Sequence, residues 1–195
     1  FMKKAEFNFE LFKKHIIIAQ RMMDDIIDLE LEKIDGILAK IDADPEEDDV
    51  KATEKNLWLN IRQKAYEGRR TGIGITAEGD MLAALGIRYG SEEGNSFSTE
   101  VHKILGIETY RASVNLAKER GAFSIFDAER EKENPFILRI KEADSKLYYE
   151  MLEHGRRNIA LLTIAPTGTT SLMTQTSSGI EPVFMPVYKR RKKVN

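Results

Sequence analysis

The stretch Ile159-Ala160-Leu161-Leu162-Thr163-Ile164-Ala165, stopped by Pro166, narrows the choice of fold more than any other part of this sequence. A continuous apolar run of that length has no polar face to turn to water, which predicts a parallel strand buried on both sides. Pro166 lacks the amide that a ladder needs and ends the run. Thr167-Gly168-Thr169-Thr170-Ser171 then supplies hydroxyl residues suited to a helix start. A strand that hands the chain to a helix start points to an α/β fold, where ligands bind beyond the carboxyl ends of strands.

Upstream the texture is helical. From Asn8 to about Lys40, Leu11, Phe12, Ile16, Ala19, Met23, Ile26, Ile27, Ile34 and Leu38 recur at three- and four-residue steps, which predicts a long amphipathic helix. Asp44-Pro45-Glu46-Glu47-Asp48-Asp49 reads as a solvated acidic loop or helix start. A second helix is expected over Val50 to Glu67, with Leu57, Trp58, Ile61 and Ala65 inward. Thr71-Gly72-Ile73-Gly74-Ile75-Thr76 suits a short buried strand, followed by a helix from Ala77 to Leu85 that Gly86 ends.

Ser91-Glu92-Glu93 opens and Lys118, Arg120 and Gly121 close another long helix, with Phe97, Val101, Leu105, Ala112 and Leu116 as its buried stripe. One more helix follows Asn134-Pro135, with Ile140, Ala143, Leu147 and Met151 on one face and Gly155 at its end. Val183-Phe184-Met185 and Val187-Tyr188 suggest a last strand edged by Pro186. The expected organisation is therefore a helical segment over 1–68 and a β/α segment over 69–195.

Thirty basic residues against thirty-two acidic ones leave a formal net charge of -2, so no overall field draws the chain to nucleic acid or to a membrane. No apolar run reaches the roughly 18 residues a membrane span needs, and the reading is cytoplasmic. Cysteine is absent, which removes disulfides, thiolate metal sites and thiyl radicals from these residues. The opening at Phe1 and the basic ending over Lys189 to Lys193 suggest an excised segment; the basic run reads as a solvated end.

The chemistry concentrates in Thr167-Gly168-Thr169-Thr170-Ser171. Gly168 lets a ligand approach the backbone, first-turn amides point outward, and hydroxyls can donate to phosphate oxygens. The alternative is that these serines and threonines only cap the helix. No lysine is present, so this is not a Walker loop. Pro166 and Glu181 are candidate pocket-lining residues, Glu181 having a capping role as its alternative.

Gly72-x-Gly74-x-x-Ala77 formally meets a relaxed dinucleotide fingerprint, so a nicotinamide-dinucleotide-binding oxidoreductase is one rival, close strand–helix packing being the plainer reading. A helical interaction module is a second rival. His15, His102 and His154 are scattered and read as surface residues. No residue is assigned a catalytic or metal-binding role.

Several of these stretches resemble one family. Arg69-Arg70-Thr71-Gly72-Ile73-Gly74-Ile75-Thr76, Asp80 to Tyr89, and Ile164 to Ser171 with Ser177-Ser178-Gly179-Ile180-Glu181-Pro182 look, in order and spacing, like the large catalytic subunit of ribonucleotide reductase. Pro-Thr-Gly-Thr and the ending from Tyr188 to Arg191 look most like its adenosylcobalamin-dependent class, the diiron-dependent class being the alternative.

The resemblance implies part of a ten-stranded α/β barrel, namely its second half-barrel, preceded by long helices. It implies that Thr167 to Ser171 hold the phosphates of a ribonucleotide substrate, a diphosphate being the first expectation and a triphosphate the second. It also implies adenosylcobalamin as cofactor, a thioredoxin-type reductant, the remainder of a parent chain and a homodimer as partners. The family's reaction uses a thiyl radical on the ribose and two further cysteines as electron donors, and none of these lies within Phe1 to Asn195.

Overall fold

The computed structural model describes residues 5–185 together with Val187, Lys189, Arg191 and Lys193. Eight helices account for 67% of the described residues, and no strand is formed among them. The chain divides into two compact units. One gathers Gly74–His102 with the described residues of the first seven positions and of Ile164–Asn195; the other comprises Asn8–Ile73 and Lys103–Thr163.

In the larger unit, α1 (Phe9–Ala43) and α2 (Asp48–Gly68) pack as an antiparallel hairpin. Asn8 starts α1 by accepting the Leu11 amide at 2.9 Å. The residues α1 buries are Ile16, Gln20, Asp24, Ile27, Ile34 and Ile41, one stripe at helical spacing. Three ion pairs, Asp42–Lys55, Asp35–Arg62 and Asp28–Arg69, descend the hairpin two turns at a time on each helix. Leu11 and Ile26, expected inside, are 47% and 51% exposed.

The rest of that unit holds the later part of α4 (Glu92–Arg120) with α5 (Ala128–Lys132), α6 (Pro135–Ala143) and α7 (Ser145–His154). Its core joins Tyr110, Val114, Ile137, Ile140, Leu147, Tyr148, Met151 and Leu161. The single helix expected after Pro135 is two. Asp144 leaves helical geometry and accepts the Leu147 amide at 2.9 Å, so a competing side-chain cap divides the apolar periodicity. Ala143 consequently faces solvent.

The α/β half-barrel expectation is not met, because the two apolar runs pair only with each other and only briefly. Ile73 and Leu162 form one isolated parallel bridge. Around it the Thr71 amide donates to Ala160, Ile73 to Leu161 and Thr163 to Ile73, at 2.9, 2.8 and 3.0 Å. Leu161 is buried, whereas Ala160, Thr163 and Ile164 are exposed, so the run is not covered on both sides. An apolar run records a tendency to be buried; a sheet also requires neighbours, which the described residues do not provide.

The expected strand near the end is absent from Val183–Met185, and Pro186 and Tyr188 lie outside the described residues.

The smaller unit contains α3 (Glu78–Leu85), the first part of α4 and α8 (Gly168–Thr174). Gly86 ends α3 with φ +72°, a left-handed cap that favours glycine, and Leu82 and Val101 are each 1% exposed. Gly79 fits against the 181–182 segment so closely that an added Cβ would stand 2.5 Å from Pro182 Cα and 3.0 Å from the Glu181 carbonyl oxygen. Backbone cannot rotate aside as a side chain can. Gly79→Ala is expected to destabilise this unit by about 1–3 kcal/mol, read as increased amide exchange in α3; an unchanged exchange pattern would show that the segment shifts freely.

Candidate functional site

Pro166 lies between the extended run and α8, and Thr167 takes the left-handed conformation, φ +47°, before Gly168 opens the helix. A β-branched residue adopts that conformation only when its surroundings hold it. The holding groups are visible. Thr167 Oγ1 accepts the Gly179 amide at 2.7 Å and lies 2.9 Å from Thr76 Oγ1, while Thr76 donates to the Ser177 carbonyl at 3.2 Å.

Each hydroxyl has one proton. Thr76 gives its proton to Ser177, so Thr167 must donate to Thr76, and the chain of bonds runs from Gly179 through Thr167 and Thr76 to Ser177. Asp80 anchors the same loop by accepting the Ser177 amide at 2.7 Å.

This accounting separates the candidate residues. The Thr167 hydroxyl is committed within the loop, and Ser171, 7% exposed, donates its hydroxyl to the Gly168 carbonyl at 2.9 Å while its amide donates to the Thr167 carbonyl at 2.8 Å. Gly168, Thr169 and Thr170 are exposed. Their amides form the first helical turn, which has no intrahelical acceptor, and a Cβ built on Gly168 would meet nothing within 4 Å. The surface thus offers three amides and the hydroxyls of Thr169 and Thr170 around an open backbone.

Pro166 is exposed beside this turn. Glu181 is also exposed, and its carboxylate turns back to accept the Ile180 amide at 3.1 Å, a local cap. The rival glycine motif does not present an open surface at its first glycine: a Cβ on Gly72 would stand 3.0 Å from Thr163 Cγ2, so that glycine serves close packing of the two extended segments. His15 and His154 are exposed. His102, half-buried, pairs with the buried Glu78, Nε2 to Oε2 2.9 Å, a contact that the sequence reading did not foresee.

In the larger unit the buried polar residues converge on Asp24, which is 0% exposed. Its Oδ1 accepts from Arg69 Nε at 2.8 Å and Asn158 Nδ2 at 3.0 Å, and its Oδ2 from Arg120 Nη1 at 3.1 Å and Arg157 Nε at 3.2 Å. Burial pushes the Asp24 carboxyl up, but the hydrogen bond and charge of Arg69, with Arg157 and Asn158, outweigh it and hold the group below the usual carboxylate value. Asp24, Asp25 and Asp28 bring carboxylate oxygens within 4.8 Å of one another, yet arginines already neutralise all three. This is a structural hub, and no metal is assigned to it.

The profile of the family described as "Ribonucleotide reductase, barrel domain" matches residues 1–195. The chain belongs to this ribonucleotide reductase family. It is 30% identical over 177 residues to a vitamin B12-dependent ribonucleoside-diphosphate reductase of Mycobacterium tuberculosis, covering 90% of this chain and 22% of that protein. A vitamin B12-dependent ribonucleoside-diphosphate reductase of Thermoplasma acidophilum is 34% identical over 144 residues, 73% of this chain and 16% of its own. The ribonucleoside-diphosphate reductase subunit alpha of Treponema pallidum is 28% identical over 128 residues, 64% of this chain and 15% of its own.

The chain spans about 15–22% of the length of these relatives. Its stretches Arg69 to Thr76, Asp80 to Tyr89 and Ile164 to Pro182 include both sides of the hydroxyl chain, Thr76 and Thr167. Among its described residues no helix is long and apolar enough to cross a membrane.

Proposed function

We propose that Thr167–Ser171 is the substrate-phosphate clamp of a ribonucleotide reductase whose full chain reduces ribonucleoside diphosphates to 2'-deoxyribonucleotides. The supporting observation is the exposed first turn of α8, where three amides without helical acceptors and the hydroxyls of Thr169 and Thr170 surround the open backbone at Gly168. Thr167 and Ser171 shape this turn through their internal bonds, and Pro166 directly precedes it. Charge-assisted hydrogen bonds to phosphate oxygens favour a di- or triphosphate over a neutral ligand. The diphosphate choice follows the names of the relatives.

In this reading the chain binds and orients the substrate, and the electron chemistry belongs to other parts of the same protein. Adenosylcobalamin, proposed as the cofactor, supplies a radical when bound. The present residues do not fit it as reaction partners, since the chain has no thiol to receive that radical, and no step is assigned to it here. A thioredoxin-type reductant, a homodimeric parent and a cytoplasmic setting complete the reading.

The clamp is tested by a Thr169→Ala/Thr170→Ala double variant of the full-length protein, with Ser171→Ala as comparison. A neutral hydrogen bond is worth about 0.5–1.5 kcal/mol and one to a charged acceptor up to ~3 kcal/mol. The double variant is expected to raise KM for a ribonucleoside diphosphate roughly tenfold or more, with the smaller change in Ser171→Ala. An unchanged KM in the double variant would remove the two hydroxyls from the site.

A further inference from the structure

We propose that Thr76 and Asp80 are positioning residues for the substrate, holding the backbone of 167–179 in its phosphate-binding shape without touching the phosphate. The proposal rests on the clamp reading of Thr167–Ser171 and gives a role to two residues outside that turn. Thr76 stands just before α3, and Asp80 lies in its first turn. Together they grip one residue by both of its backbone groups. Thr76 Oγ1 donates to the Ser177 carbonyl at 3.2 Å, and Asp80 Oδ2 accepts the Ser177 amide at 2.7 Å.

The grip closes a ring. From Ser177 the chain passes through Ser178 to Gly179, whose amide donates to Thr167 Oγ1 at 2.7 Å; Thr167 Oγ1 lies 2.9 Å from Thr76 Oγ1, and Thr76 returns to Ser177. Two members of this ring hold left-handed backbone, Thr167 at φ +47° and Gly179 at φ +61°. A β-branched residue keeps that conformation only while its bonds hold it, and the direction of the amides after Thr167 depends on it. The fixed end of the ring is α3. Glu78, 6% exposed, meets His102 of α4 at 2.9 Å, Gly79 packs against Pro182 without room for a Cβ, and Leu82 is 1% exposed.

Cutting the ring has a kinetic signature. Substrate would have to rebuild the turn on binding, so apparent affinity falls by the fraction of molecules that already hold the competent shape. At saturation the turn is rebuilt and turnover is retained. A purely structural role gives the opposite pattern, because unfolded molecules are lost from kcat while KM of the folded remainder stays unchanged.

The test compares Thr76→Val, Thr76→Ser, Asp80→Ala and Asp80→Asn in the full-length protein, with a ribonucleoside diphosphate as substrate. Thr76→Val and Asp80→Ala are each expected to raise KM about five- to tenfold, the worth of one hydrogen bond, with kcat within about twofold. Thr76→Ser and Asp80→Asn keep the hydroxyl and the acceptor and are expected to retain the natural KM. Thr167→Val added to Thr76→Val should raise KM by less than the product of the two single effects, since both cut the same ring. An unchanged KM in Thr76→Val and Asp80→Ala, beside a raised KM in Thr169→Ala/Thr170→Ala, would overturn the proposal and leave the clamp standing. An unchanged KM in all of them would remove the clamp and the proposal together. A fall in kcat at constant KM, or a Thr76→Ser protein as impaired as Thr76→Val, would also overturn it.

Discussion

Asp24→Ala is expected to lower the melting temperature by roughly 6–20 °C. The side chain is fully buried and receives four side-chain hydrogen bonds, three of them from arginines. Removing one partner of a buried ion pair costs about 3–5 kcal/mol, because the charges left behind have lost their hydration and gained nothing. For a chain of this size each kcal/mol moves the melting point by about 2–4 °C.

Asp24→Asn should be nearly as harmful, since it keeps the shape and removes the charge. The same group sets an acid limit. Its folded-state pKa lies below the ordinary carboxylate value, so its stabilisation is present above that value and is lost as pH falls through the depressed one. Melting curves from pH 7 to pH 2 are therefore expected to show a drop at the acid end that Asp24→Ala lacks. Equal acid sensitivity in both proteins would mean that other carboxylates carry the loss.

Gly168→Val in the full-length protein should fold normally and bind substrate roughly a hundredfold or more weakly. The two halves of this expectation have separate causes. A Cβ at position 168 meets nothing within 4 Å, and valine is a slightly better helix former than glycine, so stability is maintained. A branched side chain would nonetheless stand over the amides that a phosphate must approach, and losing two charge-assisted bonds of about 1.5–3 kcal/mol each gives the stated factor. Unaltered KM and kcat in a folded Gly168→Val protein would leave the turn as a helix start without a ligand.

The helices were readable because their signals are local. Asn8, Gly86, Asn134 and Gly155 cap or end them within a few residues of where they act. The break at Asp144 is not legible in the sequence because a side-chain cap and the surrounding apolar spacing compete, and spacing alone does not say which wins. The expected sheet fails for a different reason: the run from 159 to 165 advertises burial, but whether strands lie on both sides depends on distant chain.

The Thr167–Ser171 turn stood out through Pro166 and Gly168, whereas the commitment of the Thr167 and Ser171 hydroxyls depends on Thr76, Gly179 and the Gly168 carbonyl, which only coordinates bring together. The hub had a faint signal, Gln20 and Asp24 on the buried stripe of α1, but its arginines lie 45, 96 and 133 positions away.

Those separations carry a consequence for biosynthesis. Asp24 leaves the ribosome 133 residues ahead of Arg157, an interval of roughly 7–27 s at about 5–20 residues per second. Throughout that time α1 can form and meet α2, but the place where Asp24 will be enclosed is incomplete, and its carboxylate must remain in water. The last ligands arrive from Arg157 and Asn158. Closure of the larger unit is thereby a late event in translation, and a ribosome stalled anywhere before Arg157 holds a nascent chain open to chaperones and proteases at α1.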